Sequence, residues 1–171
     1  YNGIWMHNFY LYRNTNSDLF ELIPWDKDNT FGGAVINTIL DMGGDVTDIY
    51  EWDPFLYENA VDRPLFKQLM NNPLYKKIYS AHIRTIIADI YNVEYFQELA
   101  YGMQDVISTD AQNDPNLFIP FTFGNYFQYN VDNYLITFDG SHWCGITSTV
   151  AGRLPYLLNH SEISQSAPVI S

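Results

Sequence analysis

The chain has 171 residues, of which 47% are hydrophobic, so it is long and apolar enough for one globular domain with a packed core. This composition excludes general disorder. The net charge of −12, from 20 acidic and 8 basic residues, argues against binding to nucleic acid or anionic lipid and favours cations or basic partners. An acidic excess also serves simply to keep a surface soluble.

Three further features of the sequence concern its cellular context. The single cysteine, Cys144, cannot form an internal disulfide. No run approaches the roughly 20 apolar residues that cross a bilayer. The chain starts without Met, inside what looks like a structured segment, so we expect part of the protein to precede Tyr1.

The first predicted element is a β-hairpin. Residues 9–13 alternate between two faces, residues 19–23 form a second strand, and the polar residues 14–18 are typical of a turn. Pro24 ends the second strand because it cannot donate to a ladder. Residues 25–60 show no clear period and are predicted to be a long irregular, acidic segment.

Helices are predicted from about residue 63 onward. The first begins at Pro64, the second at Pro73, and the third spans about 93–108 after the capping residue Asn92. The second carries a broad apolar band that is typical of a buried helix, and its one histidine is predicted to lie in the core. The residues of this band are Leu74, Ile78, His82, Ile86 and Ile90.

The last third is predicted to contain a helix over about 122–136, a loop over 139–145 and a final helix over 146–159. Residues 161–171 are Ser-rich and are predicted to be a linker or tail. Arg63 and Arg153 are candidate partners for buried carboxylates and would then organise the acidic segment through bidentate pairs; the alternative is a solvated surface role. The fold class is therefore α+β and mostly helical, with an N-terminal β-hairpin.

The turn after the hairpin carries the strongest chemical signal. Asp26 and Asp28 can share one hard cation, with Asn29 as a further oxygen donor, and Mg²⁺ prefers such ligands at about 2.1 Å. The spacing fits no EF-hand, because neither Asp26 nor Asp28 has both a glycine at loop position 6 and an acid at position 12. The alternative is that both acids merely cap a turn.

The order of the residues favours the metal-binding alternative. Protein kinases place a catalytic loop, a short hairpin, and then a metal-binding Asp followed by Phe-Gly. Here the order is His7 and Asn8, the hairpin, Asp26 and Asp28, and then residues 31–32 (FG). Asn8 stands where the second metal-binding residue of that scheme would be.

Residues 7–13 (HNFYLYR) and 23–32 (IPWDKDNTFG) resemble the signature of the CotH kinase family. Residues 63–65, 72–77 and 152–157 also resemble its helical half, so the resemblance covers about residues 1–160. It implies a domain over 1–160, in which the hairpin and acidic loop (1–60) precede a helical half (61–160) resembling an atypical protein kinase C-lobe.

The resemblance also implies an activity and a site. The activity is transfer of the ATP γ-phosphoryl group to Ser or Thr of secreted or coat proteins, at an extracellular, cell-surface or spore-coat location. Mg²⁺ or Mn²⁺ would be the metal. The implied site residues are Asp26 and Asp28 for the metal, His7 and Asn8 for catalysis, and Asn8, Asn29 and Lys27 for contacts to the nucleotide.

The sequence departs from the family pattern in two places. Residues 1–6 hold no acid, so the catalytic base is expected upstream of Tyr1. The N-terminal lobe with its nucleotide-binding Lys is absent, and Lys27 lies in the wrong place to substitute for it. We therefore expect this fragment to be inactive alone and to need the upstream lobe of the same protein as its partner.

Two other functions remain open. An extracellular or spore-coat scaffold module without catalysis would use the aromatic residues and the linker-like tail for assembly. A glycoside hydrolase would need two carboxylates about 5–9.5 Å apart across a sugar-sized cleft. Asp26 and Asp28 are near neighbours on one loop, which suits a metal better.

Overall fold

The computed structural model describes residues 8–27, 30–33, 35–116, 131–138 and 140–165. Strands β1 (Phe9–Asn14) and β2 (Leu19–Pro24) form the predicted antiparallel hairpin, with Phe9 opposite Pro24 and Asn14 opposite Leu19. Arg13 and Asp18 form an ion pair of 2.5 Å across the turn. The two strands and the turn between them therefore confirm the predicted hairpin.

The segment predicted to be irregular contains regular structure. A 3₁₀ turn spans Thr30–Gly32, and helices α1 (Val35–Asp41) and α2 (Val46–Tyr50) follow. These helices are too short for a hydrophobic period to be recognised. Asp45 caps α2 by accepting from the Thr47 amide at 2.7 Å, while the Asp48 carboxylate accepts from the Asp45 amide at 2.8 Å.

The next three helices confirm the prediction. They are α3 (Pro64–Met70), α4 (Pro73–Asp89) and α5 (Val93–Gln112). Asn72 accepts a hydrogen bond from the Leu74 amide at 2.9 Å, and Asn92 accepts one from the Tyr95 amide at 2.8 Å. Each asparagine satisfies an amide that has no partner inside its helix.

The last third corrects two predictions. Strands β3 (Leu135–Phe138) and β4 (Ser141–Cys144) form a second antiparallel hairpin before α6 (Ile146–Asn159). Residues 131–136 are thus not helical, and the predicted loop contains β4; the rest of the predicted helix, up to residue 130, lies outside the described residues. The Asn37 amide holds β4 by donating to the His142 carbonyl at 3.0 Å and accepting from the His142 amide at 2.8 Å. Sequence patterns do not reveal a contact made across 105 positions.

Two clusters of buried side chains form the core. The first joins α1, α2 and β4 and consists of Ile36, Val46, Ile49 and Cys144. The second joins α3, α6 and the loop before α3, and consists of Phe55, Met70, Leu157 and Ile163. Neither cluster includes a residue of the N-terminal hairpin.

The burial of the apolar band of α4 is much lower than predicted. Ser80 is the only residue of α4 that counts as buried, while Ile78 is 43% and Ile86 46% exposed. His82 is exposed rather than part of the core. The described residues cover α4 on one side only, although its sequence is typical of a helix covered more widely. None of the helices in the described ranges is long and apolar enough to span a membrane.

Candidate functional site

The N-terminal hairpin brings two of the predicted site residues together at its open end. Asn8 directly precedes β1, and Asp26 follows β2 by two positions. The Asn8 side-chain amide donates to the Asp26 carbonyl at 3.2 Å and to Asp26 Oδ2 at 3.3 Å. Asn8 is 5% exposed and Asp26 is exposed, so a buried amide orients a carboxylate that solvent reaches.

Both residues have an unusual backbone conformation. The φ angle is 71° at Asn8 and 50° at Asp26, in the left-handed region. Asn and Asp tolerate this region better than other residues with a side chain. Such conformations persist where neighbouring contacts hold them, and they concentrate at functional sites.

Lys27 makes a further hydrogen bond at the open end of the hairpin, where Asn8, Asp26 and Lys27 meet and which we call the corner of the hairpin. Its ammonium group donates to the Asn8 carbonyl at 3.0 Å, and the Trp25 amide donates to that carbonyl at 3.1 Å. The Lys27 carbonyl in turn accepts from the Thr30 hydroxyl at 2.7 Å. Lys27 thus positions Asn8 and leads the chain into the Thr30–Gly32 turn.

The Phe-Gly pair anchors this turn to the helices. Phe31 has φ of 64°, and its ring meets that of Phe96 on α5 edge-on, with the centroids 5.3 Å apart. Gly32 has φ of 89°, and a Cβ there would lie 3.0 Å from Ile49 Cγ2 on α2. Aromatic packing of Phe31 therefore holds the acidic turn against the helical part. Position 32 favours glycine, because its φ is positive and Ile49 leaves little room for a side chain.

The remaining predicted site residues, His7, Asp28 and Asn29, lie outside the described residues. Within the described ranges there is no group of three or more His, Cys, Asp or Glu residues able to hold a metal ion. Metal binding by Asp26 and Asp28 therefore stays a prediction. Of the residues involved, the structure describes Asp26 and its hydrogen-bond partner Asn8.

Arg153 organises the acidic segment in a way that differs from its prediction. Its Nη1 donates to the carbonyls of Ile49 at 3.1 Å and Tyr50 at 3.0 Å, so its hydrogen bonds among the described residues go to the C-terminal end of α2 rather than to a carboxylate. Burial lowers the pKa of its guanidinium below the usual value. A cation at a helix C-terminus is favourable because the carbonyls there carry partial negative charge.

Lys76 makes the ion pairs that the sequence did not predict. Its ammonium lies 2.8 Å from Glu58 Oε2 and 3.1 Å from Glu162 Oε1. It thereby ties the loop before α3 to the turn after α6. The other predicted arginine, Arg63, stacks on the Tyr57 ring with its guanidinium carbon 4.2 Å from the centroid.

A cavity of about 870 Å³ lies beside the corner of the hairpin. Phe9, Leu22 and Lys27 line it on the hairpin side, and apolar side chains of α3 and α4 line it on the other. Sequence reasoning missed this cavity. The signal that could have revealed it is the apolar band of α4, which is wider than the described structure covers.

The comparisons with known proteins bear on this geometry. A sequence profile of the family described as "CotH kinase protein" matches residues 2–138. The chain belongs to this CotH family. Among curated proteins, the chain is 25% identical over 115 residues to "Inner spore coat protein H" of Bacillus subtilis (strain 168). This match spans 67% of the chain and 28% of the relative. No solved structure matches the chain.

The CotH match includes the N-terminal hairpin, the acidic turn and helices α1 to α5. It ends at residue 138, before β4 and α6. Asn8, Asp26 and Phe31 thus fall inside the matched range, whereas Arg153 lies outside it. The corner of the hairpin is therefore a feature of the part that the chain shares with the family.

Proposed function

We propose that this chain is part of a longer CotH-type kinase that transfers the γ-phosphoryl group of ATP to Ser or Thr of secreted or coat proteins. The pairing of Asn8 with Asp26 at the open end of the hairpin is the observation that supports it most. The 115 matched residues span 28% of the curated relative, so the proposed activity is that of a longer protein. The relative's name makes the spore coat the proposed location.

The donor set at the corner suits a hard divalent ion. The exposed Asp26 carboxylate would supply an oxygen ligand to Mg²⁺ or Mn²⁺, with Asp28 and Asn29 as further oxygen donors. Bound Mg²⁺ and ATP would supply the phosphoryl group and neutralise its charge. Asn8 would keep the Asp26 carboxylate oriented through its two hydrogen bonds, and Lys27 would keep Asn8 in place.

The decisive experiment compares two aspartates at opposite ends of the hairpin. In the full-length protein, Asp26→Asn should lower Mg²⁺-dependent phosphate transfer from radiolabelled ATP to casein by about 100-fold or more. Asn keeps the size of the side chain and tolerates the positive φ, so the fold should persist. Circular dichroism and the melting temperature check this.

Asp18→Asn is the matched control. Asp18 also has positive φ, 56°, and its ion pair with Arg13 is exposed, so this substitution should leave transfer unchanged. Transfer at the wild-type rate by Asp26→Asn would refute the metal role of Asp26. Loss of transfer in both variants would show that the hairpin as a whole, rather than Asp26, is needed.

A scaffold module of the coat without catalysis is the second candidate. Large apolar side chains are exposed on the hairpin and on α4, among them Tyr10, Phe20 and Leu74, and such surfaces suit assembly. Calorimetric titration of the full-length protein with Mg²⁺ and ATP separates the two functions. A kinase should give saturable heat, whereas a scaffold should give none.

A further inference from the structure

The cavity beside the hairpin has a charge balance opposite to that of the whole chain. Three of the chain's 8 basic residues line it, whereas among the described residues two of the 20 acidic ones do so. The basic residues are Lys27, Arg63 and Arg153, and the acidic ones are Asp53 and Asp62. Basic side chains are thus concentrated at one place on an acidic protein, and their field favours an anion there.

The two acidic residues offset these cations only in part. Asp53 Oδ1 accepts a hydrogen bond from the Phe55 amide at 2.7 Å and lies 3.2 Å from His160 Nε2. Asp62 is exposed to solvent, which screens its charge. Even when both carboxylates are counted in full, three positive and two negative groups leave one net positive charge at the cavity. This balance suits a ligand with a single negative charge better than a polyanion.

Arg153 supplies hydrogen-bond donors for such a ligand. Among the described residues, both of its hydrogen bonds use Nη1, which leaves the donors on Nη2 and Nε. Burial lowers the pKa of its guanidinium, because the charged form is poorly solvated there, and a bound anion would offset that penalty. The planar guanidinium matches the two oxygens of a carboxylate.

The rest of the lining is mostly apolar. It includes aromatic and branched aliphatic side chains such as Phe66, Ile87 and Tyr91. Arg63 itself is held on the Tyr57 ring, which also lines the cavity. The volume of about 870 Å³ lies within the range of about 300–1,000 Å³ that is usual for small-molecule sites. Apolar walls with a few charged donors are typical of a site for an amphipathic small molecule.

We propose that this cavity binds a small monocarboxylate with an aromatic or branched aliphatic body. The carboxylate pairs with Arg153 and Arg63, and the body lies against the apolar side chains of α3 and α4. The site requires neither Asp26 nor a metal ion, so the proposal does not rest on phosphoryl transfer.

A matched pair of ligands tests whether charge directs the binding. The full-length protein is titrated calorimetrically with 1-naphthaleneacetate and with the neutral 1-naphthaleneacetamide, which has the same ring and nearly the same size. The carboxylate should give saturable heat and bind at least about tenfold more tightly, because only it forms charge-assisted hydrogen bonds. Equal affinities for the two compounds, or no saturable heat with the carboxylate, would overturn the proposal.

A matched pair of arginine variants tests which cation takes part. Arg63→Gln should weaken binding of 1-naphthaleneacetate about tenfold, because it removes one charged partner of the carboxylate. Arg13→Gln is the control: it removes the same charge from the hairpin, outside the lining, where its ion pair with Asp18 is exposed. Circular dichroism checks that both variants are folded. Equal affinities of Arg63→Gln and Arg13→Gln would overturn the proposal.

A second pair of variants tests the place of the apolar body without touching a charge. Ile86→Trp adds volume to the lining, whereas Ile78→Trp adds it on the same helix outside the lining, at 43% exposure against 46% for Ile86. The first should weaken binding of 1-naphthaleneacetate about tenfold and the second should leave it unchanged, because the site accepts only what its free volume admits. Equal binding by both variants would place the ligand elsewhere and overturn the proposal.

Competition with a nucleotide separates this site from the proposed kinase site. The titration with 1-naphthaleneacetate is repeated with excess Mg²⁺ and ATP. The affinity for the carboxylate should stay the same, since three phosphate groups exceed the single net positive charge of the lining. Displacement by ATP would make the cavity part of a nucleotide site and would overturn the proposal. The first titrations contain no nucleotide, so they remain informative even if phosphoryl transfer is absent.

Discussion

The two sides of the molecule differ in how completely their side chains are covered. Around the first cluster, α1, α2, β4 and α6 fit closely: Ile36 is fully buried, and a Cβ at Gly145 would lie 1.9 Å from the Asn133 carbonyl oxygen. Beside the cavity next to the hairpin, Ile86 on α4, a residue of the same type, remains half exposed. The first side is close-packed among the described residues, whereas the second leaves large apolar side chains exposed.

The candidate site lies between these two sides. Phe31 and Gly32 pack on α5 and α2, whereas Asn8 and Lys27 flank the hairpin, which lines one side of the cavity. Asp26 lies between Asn8, which donates a hydrogen bond to its carboxylate, and the Thr30–Gly32 turn, and its side chain is exposed.

The largest expected effect on stability comes from substituting one isoleucine on each of the two sides. Ile36→Ala should lower the free energy of unfolding by about 4 kcal/mol, because it leaves a cavity in the first cluster. Ile86→Ala should cost about 1 kcal/mol, because its side chain is half exposed beside the cavity. Urea unfolding of the full-length protein measures both. A loss above about 2 kcal/mol at Ile86 would mean that its side chain is covered there.

Two helical glycines give the next contrast. A Cβ at Gly152 on α6 would lie 2.5 Å from the Tyr50 ring, so Gly152→Ala should destabilise the protein by about 2 kcal/mol. A Cβ at Gly102 on α5 would meet nothing within 4 Å, so Gly102→Ala should stabilise it by about 0.5–1 kcal/mol. Melting temperatures should therefore move in opposite directions. A rise for Gly152→Ala would contradict the close packing of α6 on α2.

A smaller effect is expected at a helix end. Asn92→Ala removes the acceptor for the Tyr95 amide and should cost about 1 kcal/mol. Asn92→Asp keeps an acceptor there and should restore most of the loss. Chemical unfolding of both variants measures the difference, and equal stability of Asn92→Ala and the wild type would refute the capping role.

The smallest effect is a dependence on alkaline pH. Burial raises the pKa of Tyr50 from its ordinary value of 10.0 to about 12, so the folded state holds this proton more tightly than the unfolded chain does. The resulting stability is complete below pH 10 and is lost as the pH rises from 10 toward 12. Tyr50→Phe should reduce the slope of unfolding free energy against pH in that range. An unchanged slope would show that Tyr50 contributes nothing.

The candidate site was predictable from the sequence only in part. The hairpin alternation and the turn place residue 8 and residue 26 at one end, so their proximity follows from strand pairing. The hydrogen bonds of Lys27 and the docking of Phe31 on Phe96 do not follow from any local pattern. They depend on where the chain turns after β2, which is set by contacts with α2 and α5.

By itself, the sequence determined the elements whose signals lie within a few residues of one another: the N-terminal hairpin, the three helices with proline or asparagine at their starts, and the motif shared with the CotH family. The tertiary structure alone decided that β4 is a strand, that Arg153 binds carbonyls of α2 and that one face of α4 lies open. Strand alternation and helix capping act between near neighbours, so they are visible in the sequence. Pairing and coverage across about a hundred positions depend on the whole fold, because each partner is chosen by what else packs around it.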